Sequence, residues 1–245
     1  VENRKVIEDL VYGTYLSKYN YEIIHHDSPD PRGIDVCLIY RKDIIDVISW
    51  RYILPPSEGQ NLIKTRSVLY TKCLVEGDTV HLFVNHWPSR RGGVLPGESL
   101  RMQIADMVVD MADSVASAEI AESRIIVLGD FNATPDDQVI STLSGKYSSG
   151  VSMINLSAGL AIGTGTYRYR GTWEMIDQVI VSGGLLDSSR NVYLKPESLR
   201  IFNAGFLQKK DPVYPGPSPF STWSGYRYQG GYSDHLPVLF DLMIR

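Results

Sequence analysis

The stretch IIVLGDFN, residues 125–132, joins a short apolar run to a glycine and two polar side chains. Residues 125–128 predict a buried strand, because branched aliphatic side chains are enriched in strands. Asp130 and Asn132 follow at the C-terminal end of that strand, where ligands are usually held. Taken alone, the tetrapeptide GDFN is also compatible with a plain turn after a strand, so other parts of the chain must decide between the two.

Three further polar clusters adjoin apolar, strand-like runs in the same way. Asn85 and His86 end one run, Asp177 begins another, and the pair Asp234-His235 precedes a third. Since strand ends on one edge of a sheet converge, we expect these side chains to meet the polar residues of GDFN in one cleft. Each cluster alone has a structural explanation, such as a cap or a satisfied buried histidine. Their joint occurrence favours a functional site.

The donor atoms expected in this cleft favour a hard divalent cation. Carboxylate and amide oxygens suit Mg²⁺ or Mn²⁺, and Ca²⁺ is compatible with the same donors. The sequence has no cysteine–histidine spacing suited to structural zinc. A metal that neutralises phosphate charge, a carboxylate or imidazole that activates water, and a second imidazole that donates a hydrogen bond together fit phosphoester hydrolysis.

Helical and strand-like patterns surround these clusters and predict an α/β protein. Apolar residues recur at helical spacing over residues 3–15 and 100–115, which indicates two amphipathic helices. Residues 67–74 and 79–87 predict a hairpin, because a Gly-Asp turn separates them. Hairpins mixed with crossover helices predict a mixed sheet. Residues 206–232, rich in Pro, Gly and aromatic residues, are expected to be an ordered loop. The remaining strand-like runs are dense in apolar residues and lie at residues 33–40, 178–181 and 236–243.

Length and composition favour one large folded unit. The 245 residues are 43% hydrophobic and 21% charged, which is ordinary for a globular protein. The formal net charge of −4 and the pI of about 5.7 exclude a global positive field, so any nucleic-acid site must be a local patch. Cys37 and Cys73 lie in apolar runs and are expected to be buried thiols. We expect a monomer.

The sequence leaves the cellular compartment open. No stretch is long and apolar enough to span a bilayer, and no signal peptide opens the chain. The first residues, Val1-Glu2-Asn3-Arg4, lack an initiator methionine, which suggests a trimmed or truncated chain. A secreted or periplasmic location is therefore compatible with the sequence.

Four ordered stretches carry a resemblance to a known family. They are NHWPSRRGG at residues 85–93, VLGDFN at 127–132, IDQVIVS at 176–182 and SDHLPV at 233–238. Together they resemble the signatures of the endonuclease/exonuclease/phosphatase superfamily, which includes pancreatic-type deoxyribonucleases. The resemblance implies a deoxyribonuclease-I-like, four-layer α/β/β/α sandwich in which two mixed sheets pack face to face.

By motif position, the resemblance also implies catalytic and metal-binding roles. Asp234 and Asp130 would bind the metal, and Asp130 would also orient or deprotonate the attacking water. His235 would act at the scissile phosphate while paired with Asp177.

Other residues would contact the substrate. The resemblance implies that Asn132 contacts phosphate and that His86 stabilises the phosphoryl oxygens. Arg90 and Tyr169 are further candidates, because arginine binds phosphate and aromatic residues interleaved with cations stack bases. A solvated loop arginine and a plain edge strand are the alternative explanations for the same residues. We expect Asp35 to orient the His86 imidazole through its second nitrogen.

One part of the family pattern is missing from the sequence. Members normally open with a strand that carries a site asparagine, followed by a helix and a second strand that ends in a metal-binding glutamate. We therefore expect residues 1–245 to be a single domain of this family that lacks its first strands. Glu2 lies next to the expected glutamate position, but by register it is not the equivalent residue.

Three functions follow from these patterns. The first is an endonuclease-like phosphodiesterase that uses metal-activated water on DNA or RNA. The second is a phosphatase or phosphodiesterase that acts on a small molecule or lipid headgroup, for which an acidic pI is no obstacle. The third is a non-catalytic domain whose metal site has degraded. Substrate specificity would lie in the loops at residues 88–97, 163–173 and 206–232.

Overall fold

The computed structural model describes residues 1–56, 63–90, 94–119, 123–160 and 163–245. The α-helices within these ranges are α1 (Arg4–Gly13), α2 (Val94–Ala118) and α3 (Gln138–Leu143). The strands are β1 (Tyr21–His25), β2 (Cys37–Arg41), β3 (Ile45–Ile53), β4 (Val68–Val75), β5 (Asp78–His86), β6 (Ile125–Asp130), β7 (Gly145–Lys146), β8 (Ser152–Asn155), β9 (Tyr167–Tyr169), β10 (Thr172–Glu174), β11 (Asp177–Ser182), β12 (Val192–Leu194), β13 (Arg200–Ile201), β14 (Gln208–Lys210), β15 (Pro217–Pro219), β16 (Trp223–Ser224), β17 (Arg227–Tyr228), β18 (Val238–Leu239) and β19 (Leu242–Ile244). Short 3₁₀ helices lie at Tyr15–Lys18, Leu156–Gly159, Gly183–Leu185, Pro196–Ser198 and Gly205–Leu207.

A seven-stranded mixed sheet organises the fold, with strand order β3-β4-β5-β6-β11-β8-β7. β5 and β6 run parallel, and the other neighbours are antiparallel. The hairpin of β4 and β5 is confirmed. Glu76 and Gly77 make its tight turn with φ of +46° and +81°, which suits the right-handed twist of the flanking strands. The predicted α/β class is confirmed.

One face of this sheet packs against α2 and α3. Phe83, Val127 and Ile180 are buried there, and Ile104 and Val108 of α2 pack in the same cluster. The spacing of the two helical residues is four, which places them on one face of the helix. This contact fixes the crossover between the parallel strands β5 and β6.

The opposite face packs against short antiparallel ladders. Val192 and Leu194 of β12 are buried with Val181 of the main sheet, and β12 pairs with β19. Further along, Ile24 of β1 packs against Leu69 of β4.

The helix α1 covers the outer side of the β1–β2 ladder. It begins at Arg4 because the Asn3 side chain accepts a hydrogen bond from the Val6 N–H, at 3.1 Å. Ile7 and Val11 then pack against Ile23. The amphipathic helix predicted for residues 3–15 is confirmed.

Two strand predictions and one loop prediction change in the structure. The strand expected at 33–40 starts only at Cys37, because the Asp35 N–H donates to the Val1 carbonyl at 2.7 Å. The run 236–243 divides into β18 and β19, since the Asp241 N–H donates to the Ser198 hydroxyl instead of a neighbouring strand. The loop expected at 206–232 contains the short pairs β14–β15 and β16–β17.

A second continuous mixed sheet is not formed within the described ranges. The strands outside the main sheet pair two by two and are two to five residues long, too short to build an extended ladder. Among the residues described, no helix combines the length and apolarity needed to cross a membrane.

Candidate functional site

Strand register brings three of the expected site residues into one row. β6 lies between β5 and β11, and Asp130 is the direct partner of His86 on one side and of Asp177 on the other. His86 Nε2 lies 3.3 Å from Asp130 Oδ2. Because all three residues stand at strand ends on the same edge of the sheet, the convergence predicted from the sequence occurs at this point.

Tight backbone packing holds the ends of β5 and β6 together. Gly129 has φ of +134°, and a Cβ at this position would lie 2.0 Å from the Asn85 carbonyl oxygen. Only glycine allows the two strands to approach in this way. Phe131 and Trp87 are fully buried next to the row and meet edge to face, with ring centroids 4.8 Å apart. These two aromatic side chains anchor the segments that carry His86 and Asp130.

The amide of Asn132 is used to hold the Asp130 carboxylate. Its Nδ2 donates to Asp130 Oδ2 at 3.1 Å and to the Trp87 carbonyl at 3.0 Å, and its backbone N–H donates to Asp130 Oδ1 at 2.8 Å. Asn132 has a left-handed φ of +49°, which asparagine tolerates better than most residues. The GDFN turn therefore places the Asp130 carboxylate and the Asn132 amide side by side at the site.

His235 joins the row from the C-terminal loop. Its Nδ1 lies 2.6 Å from Asp177 Oδ2, and its ring contacts that of Tyr167 with centroids 5.0 Å apart. The Leu236 N–H donates to the Thr166 carbonyl at 2.8 Å, which fastens this loop to the start of β9. A cavity of about 300 Å³ borders Asp177 and His235.

The two imidazoles at the site, those of His86 and His235, have their pKa values shifted in opposite directions. Burial acts to lower the pKa of His235, but the hydrogen bond and charge of Asp177 outweigh it and raise the pKa to about 9. Burial lowers the pKa of His86 to about 3, and the charge of Arg66 acts in the same direction. Burial and the charge of Asp177 raise the pKa of Asp130 to about 6. At neutral pH the site therefore presents one cationic and one neutral imidazole.

The ligand atoms of Asp130, Asp177 and His235 all lie within 4.8 Å of one another, a spacing that could hold a metal ion. Asp234 is exposed and lies outside this group, although its charge also raises the pKa of His235. A second group of this kind consists of His25, Asp27 and Asp35.

The expectation that Asp35 orients His86 is wrong. The loop between β1 and β2 folds back, so that Asp35 Oδ2 lies 3.2 Å from His25 Nε2 and Oδ1 accepts the Ser28 N–H at 2.7 Å. The carboxylate beside the His86 imidazole is that of Asp130.

The two candidate substrate contacts occupy different surroundings. Arg90 Nε donates to the Asn132 carbonyl at 2.8 Å, and its NH2 group lies 2.9 Å from Asp137 Oδ2. The guanidinium therefore supports the GDFN turn from outside the row. Tyr169 is half exposed in the β9–β10 hairpin, with the Arg170 guanidinium 5.3 Å from its ring centroid.

Sequence reasoning missed Arg66, and it did not place Tyr167 beside His235. Arg66 is buried behind the row and donates to the carbonyls of His86 and Trp87. Nothing in the sequence marks it, because a lone arginine before a strand is usually solvated. Tyr167 belongs to the interleaved aromatic run that includes Tyr169, and that run was the available signal.

Comparison with known proteins adds a family match and a set of similar folds. The model of a family described as the endonuclease/exonuclease/phosphatase family matches residues 1–244. No curated protein matches the chain in sequence.

Several solved structures resemble the chain at low sequence identity. A mannosyl-6-phosphatase, Bt3783 of Bacteroides thetaiotaomicron VPI-5482, is 17% identical with a TM-score of 0.63, over 97% of this chain and 80% of that one. An endonuclease/exonuclease/phosphatase from Bacteroides vulgatus is 20% identical with a TM-score of 0.62, over 98% and 81%. TDP2 of D. rerio, complexed with a single-strand DNA product, is 14% identical with a TM-score of 0.59, over 95% and 82%. At such identities these similarities concern the fold.

Proposed function

The chain belongs to the endonuclease/exonuclease/phosphatase family and is a phosphoester hydrolase, and we propose that it is a divalent-metal-dependent phosphodiesterase that cleaves nucleic acid with activated water. The observation that carries this proposal is the row of His86, Asp130 and Asp177, which His235 completes through Asp177. A partly buried carboxylate between a neutral and a cationic imidazole suits a reaction that both deprotonates water and stabilises phosphate charge.

Each residue of the row has a proposed role. Asp130 accepts a proton from the attacking water, whose oxygen bonds to phosphorus as the bond to the leaving oxygen breaks. His235, held cationic by Asp177, donates a hydrogen bond to a phosphoryl oxygen. His86 and Asn132 contact the remaining phosphoryl oxygens, as the family resemblance implies.

The donor set fits a hard divalent cation such as Mg²⁺ or Mn²⁺. The family resemblance implies that Asp130 would hold it together with Asp234, and both offer the carboxylate oxygens that these ions prefer. Asp234 itself lies outside the group of Asp130, Asp177 and His235. Burial and the charge of Asp177 raise the pKa of Asp130, and a cation would offset the repulsion between the two carboxylates. When bound, the metal neutralises charge that develops on the phosphate.

We also propose that Arg90 and Tyr169 act at the edge of the substrate site, Arg90 through the Asn132 turn that it supports. For the fold, we propose that residues 1–245 form one domain and that the short ladders act as the second sheet layer of an α/β/β/α sandwich. The packing of Val192 and Ile24 on the main sheet, and of α1 on β1, supports this arrangement.

Hydrolysis assays test the proposed function. The substrates are a single-stranded oligonucleotide, plasmid DNA, bis-p-nitrophenyl phosphate and sugar phosphomonoesters, each with Mg²⁺, Mn²⁺ or EDTA. We expect metal-dependent cleavage of nucleic acid and of the small diester, and a loss of about 10²-fold or more in His235→Ala. The control is His26→Ala, since His26 is exposed and its ring lies against Tyr52.

Two outcomes would contradict the proposal. Turnover of phosphomonoesters alone would establish the second function considered from the sequence, a phosphatase acting on small molecules or lipid headgroups. No turnover of any substrate with either metal would refute the phosphodiesterase.

A further inference from the structure

Two segments beside the site are unusually rich in aromatic residues. Residues 167–174 and 202–232, which we call the aromatic lobe, hold eleven of the chain's 25 Phe, Trp and Tyr residues. The lobe is also basic, in contrast to the chain as a whole with its net charge of −4. Its charged residues are the cations Arg168, Arg170, Lys209, Lys210 and Arg227 and the anions Glu174 and Asp211.

Much of this aromatic surface faces solvent. Tyr226 is completely exposed at the tip of the β16–β17 hairpin, and Trp223 and Tyr228 on its two strands are 56% and 64% exposed. Tyr232 and Phe206 are exposed to a similar degree. Contiguous exposed aromatic side chains are costly in water and typically mark a binding surface.

The lobe is held together by specific contacts rather than by chance proximity. Arg168 on β9 reaches across to β15 and the loop before it. Its NH1 donates to the Pro217 carbonyl of β15 at 2.7 Å and pairs with Asp211 Oδ2 in the loop at 3.2 Å. Gly171 leaves room for the Tyr214 ring, since a Cβ there would lie 3.0 Å from it. The two segments therefore form one surface.

The lobe is continuous with the catalytic row. Tyr167 begins the β9–β10 hairpin and contacts the His235 ring. On the other side, the Thr222 hydroxyl at the base of the β16–β17 hairpin donates at 2.7 Å to the carbonyl of Tyr232. Tyr232 precedes His235 by three residues, so this bond ties the hairpin to the segment that carries His235. The lobe therefore adjoins the row at His235.

We propose that the aromatic lobe binds the unpaired bases of single-stranded nucleic acid and delivers the strand to the row. Aromatic faces stack any unpaired base, while the lobe's cations attract the phosphates between the bases. A duplex hides its base faces, and the rest of this acidic chain provides no field to attract it. The proposal rests on the proposed function and specifies its substrate class.

Binding measured without turnover tests the proposal. The fluorescence anisotropy of a labelled poly-dT oligonucleotide, and of a duplex of equal length, is recorded in EDTA. We expect the wild type to prefer the single strand. We expect Trp223→Ala/Tyr228→Ala to bind it at least about tenfold more weakly. Tyr226→Ser is a second variant, since a completely exposed side chain contributes nothing to folding.

Trp50→Ala is the matched control. Trp50 is 50% exposed, close to the value of Trp223, but lies on the edge strand β3 of the main sheet. We expect its removal to leave oligonucleotide affinity unchanged.

Three results would overturn the proposal. The first is equal affinity of the wild type for single strand and duplex, and the second is unchanged affinity in both lobe variants. The third is a wild-type dimer that Trp223→Ala/Tyr228→Ala converts to monomers in sedimentation, because the lobe would then be an interface between two copies of the chain. Hydrolysis of bis-p-nitrophenyl phosphate separates this proposal from the proposed function. If the lobe variants lose oligonucleotide binding and keep small-diester turnover, both proposals are supported. If the wild type binds the single strand but hydrolyses no substrate, the binding role of the lobe is supported and the phosphodiesterase is refuted.

Discussion

The Nε atom of Arg66 donates to the backbone carbonyl of His86 at 2.8 Å, behind the row of His86, Asp130 and Asp177. The same guanidinium also donates to the Trp87 carbonyl and pairs with Asp30 Oδ2 at 2.7 Å. Its side chain is 1% exposed. A charge buried to this extent persists in a fold only when it is paired and fully hydrogen-bonded. Arg66 therefore links the loop that carries Asp30 to the segment that positions His86.

Replacing Arg66 should destabilise the protein and disturb the row. In Arg66→Met the carbonyls of His86 and Trp87 lose this donor, and the Asp30 carboxylate keeps only its contacts with Arg32. We therefore expect the free energy of unfolding to fall by about 3 kcal/mol. Urea denaturation measures this loss. Arg32→Met is the control, because Arg32 pairs with the same carboxylate from an exposed position and should cost at most about 1 kcal/mol. Equal stability of the two variants would show that the buried pair does not hold the segment.

Gly129 should tolerate no side chain. In Gly129→Ala the new Cβ would collide with the Asn85 carbonyl, which forces β5 and β6 apart at the row. We expect a loss of more than about 4 kcal/mol, beyond the usual range for single substitutions. Gly33→Ala is the matched control, since Gly33 also has a positive φ of +63° but an open surrounding, and should cost about 1 kcal/mol. Thermal unfolding compares them, and similar melting temperatures would contradict the packing argument.

The sequence predicted those parts of the site that follow from local pattern. His86, Asp130 and Asp177 each adjoin an apolar run, and strand pairing alone then brings them together. The contact of Arg66 with His86 was not predictable, because it joins residues 20 apart through a buried cation that sequence patterns place at the surface.

The strand pairs outside the main sheet were not predicted from the sequence, because many of their strands are very short. Pairs such as β13–β18 and β16–β17 contain two residues per strand, and a two-residue strand carries no readable periodicity. The strands β4, β5 and β6 were predicted correctly because each contains six or more residues, enough for a readable apolar pattern.

The stability of the protein should decline as the pH falls below about 6.5, in part through His81. Burial lowers the pKa of His81, although Glu119, 2.7 Å away, acts in the opposite direction. The unfolded chain therefore takes up a proton that the folded chain resists. This contribution to stability is complete above pH about 6.5 and is lost as the pH falls towards the folded-state pKa. Urea denaturation across this range should show a smaller decline in His81→Gln, and the exposed His26→Gln should match the wild type. Identical pH slopes in all three proteins would exclude His81 as a source of the effect.

Asp177→Asn should remove the negative charge beside His235 and keep the hydrogen bond, so it tests which of the two matters for turnover. The amide can keep a hydrogen bond to Nδ1, but it no longer holds His235 cationic, so the pKa of His235 should fall from about 9. We expect turnover of bis-p-nitrophenyl phosphate to fall by about 10²-fold or more, because a neutral imidazole stabilises phosphoryl charge poorly. The proton resonances of the histidine rings, followed against pH in metal-free protein, report the pKa directly. Asp187→Asn, at a half-exposed carboxylate paired with Arg190, should change neither quantity. If Asp177→Asn lowers the pKa of His235 yet leaves turnover unchanged at neutral pH, the cationic imidazole has no part in the reaction. Stabilisation of the phosphoryl oxygens would then be assigned to His86 and Asn132.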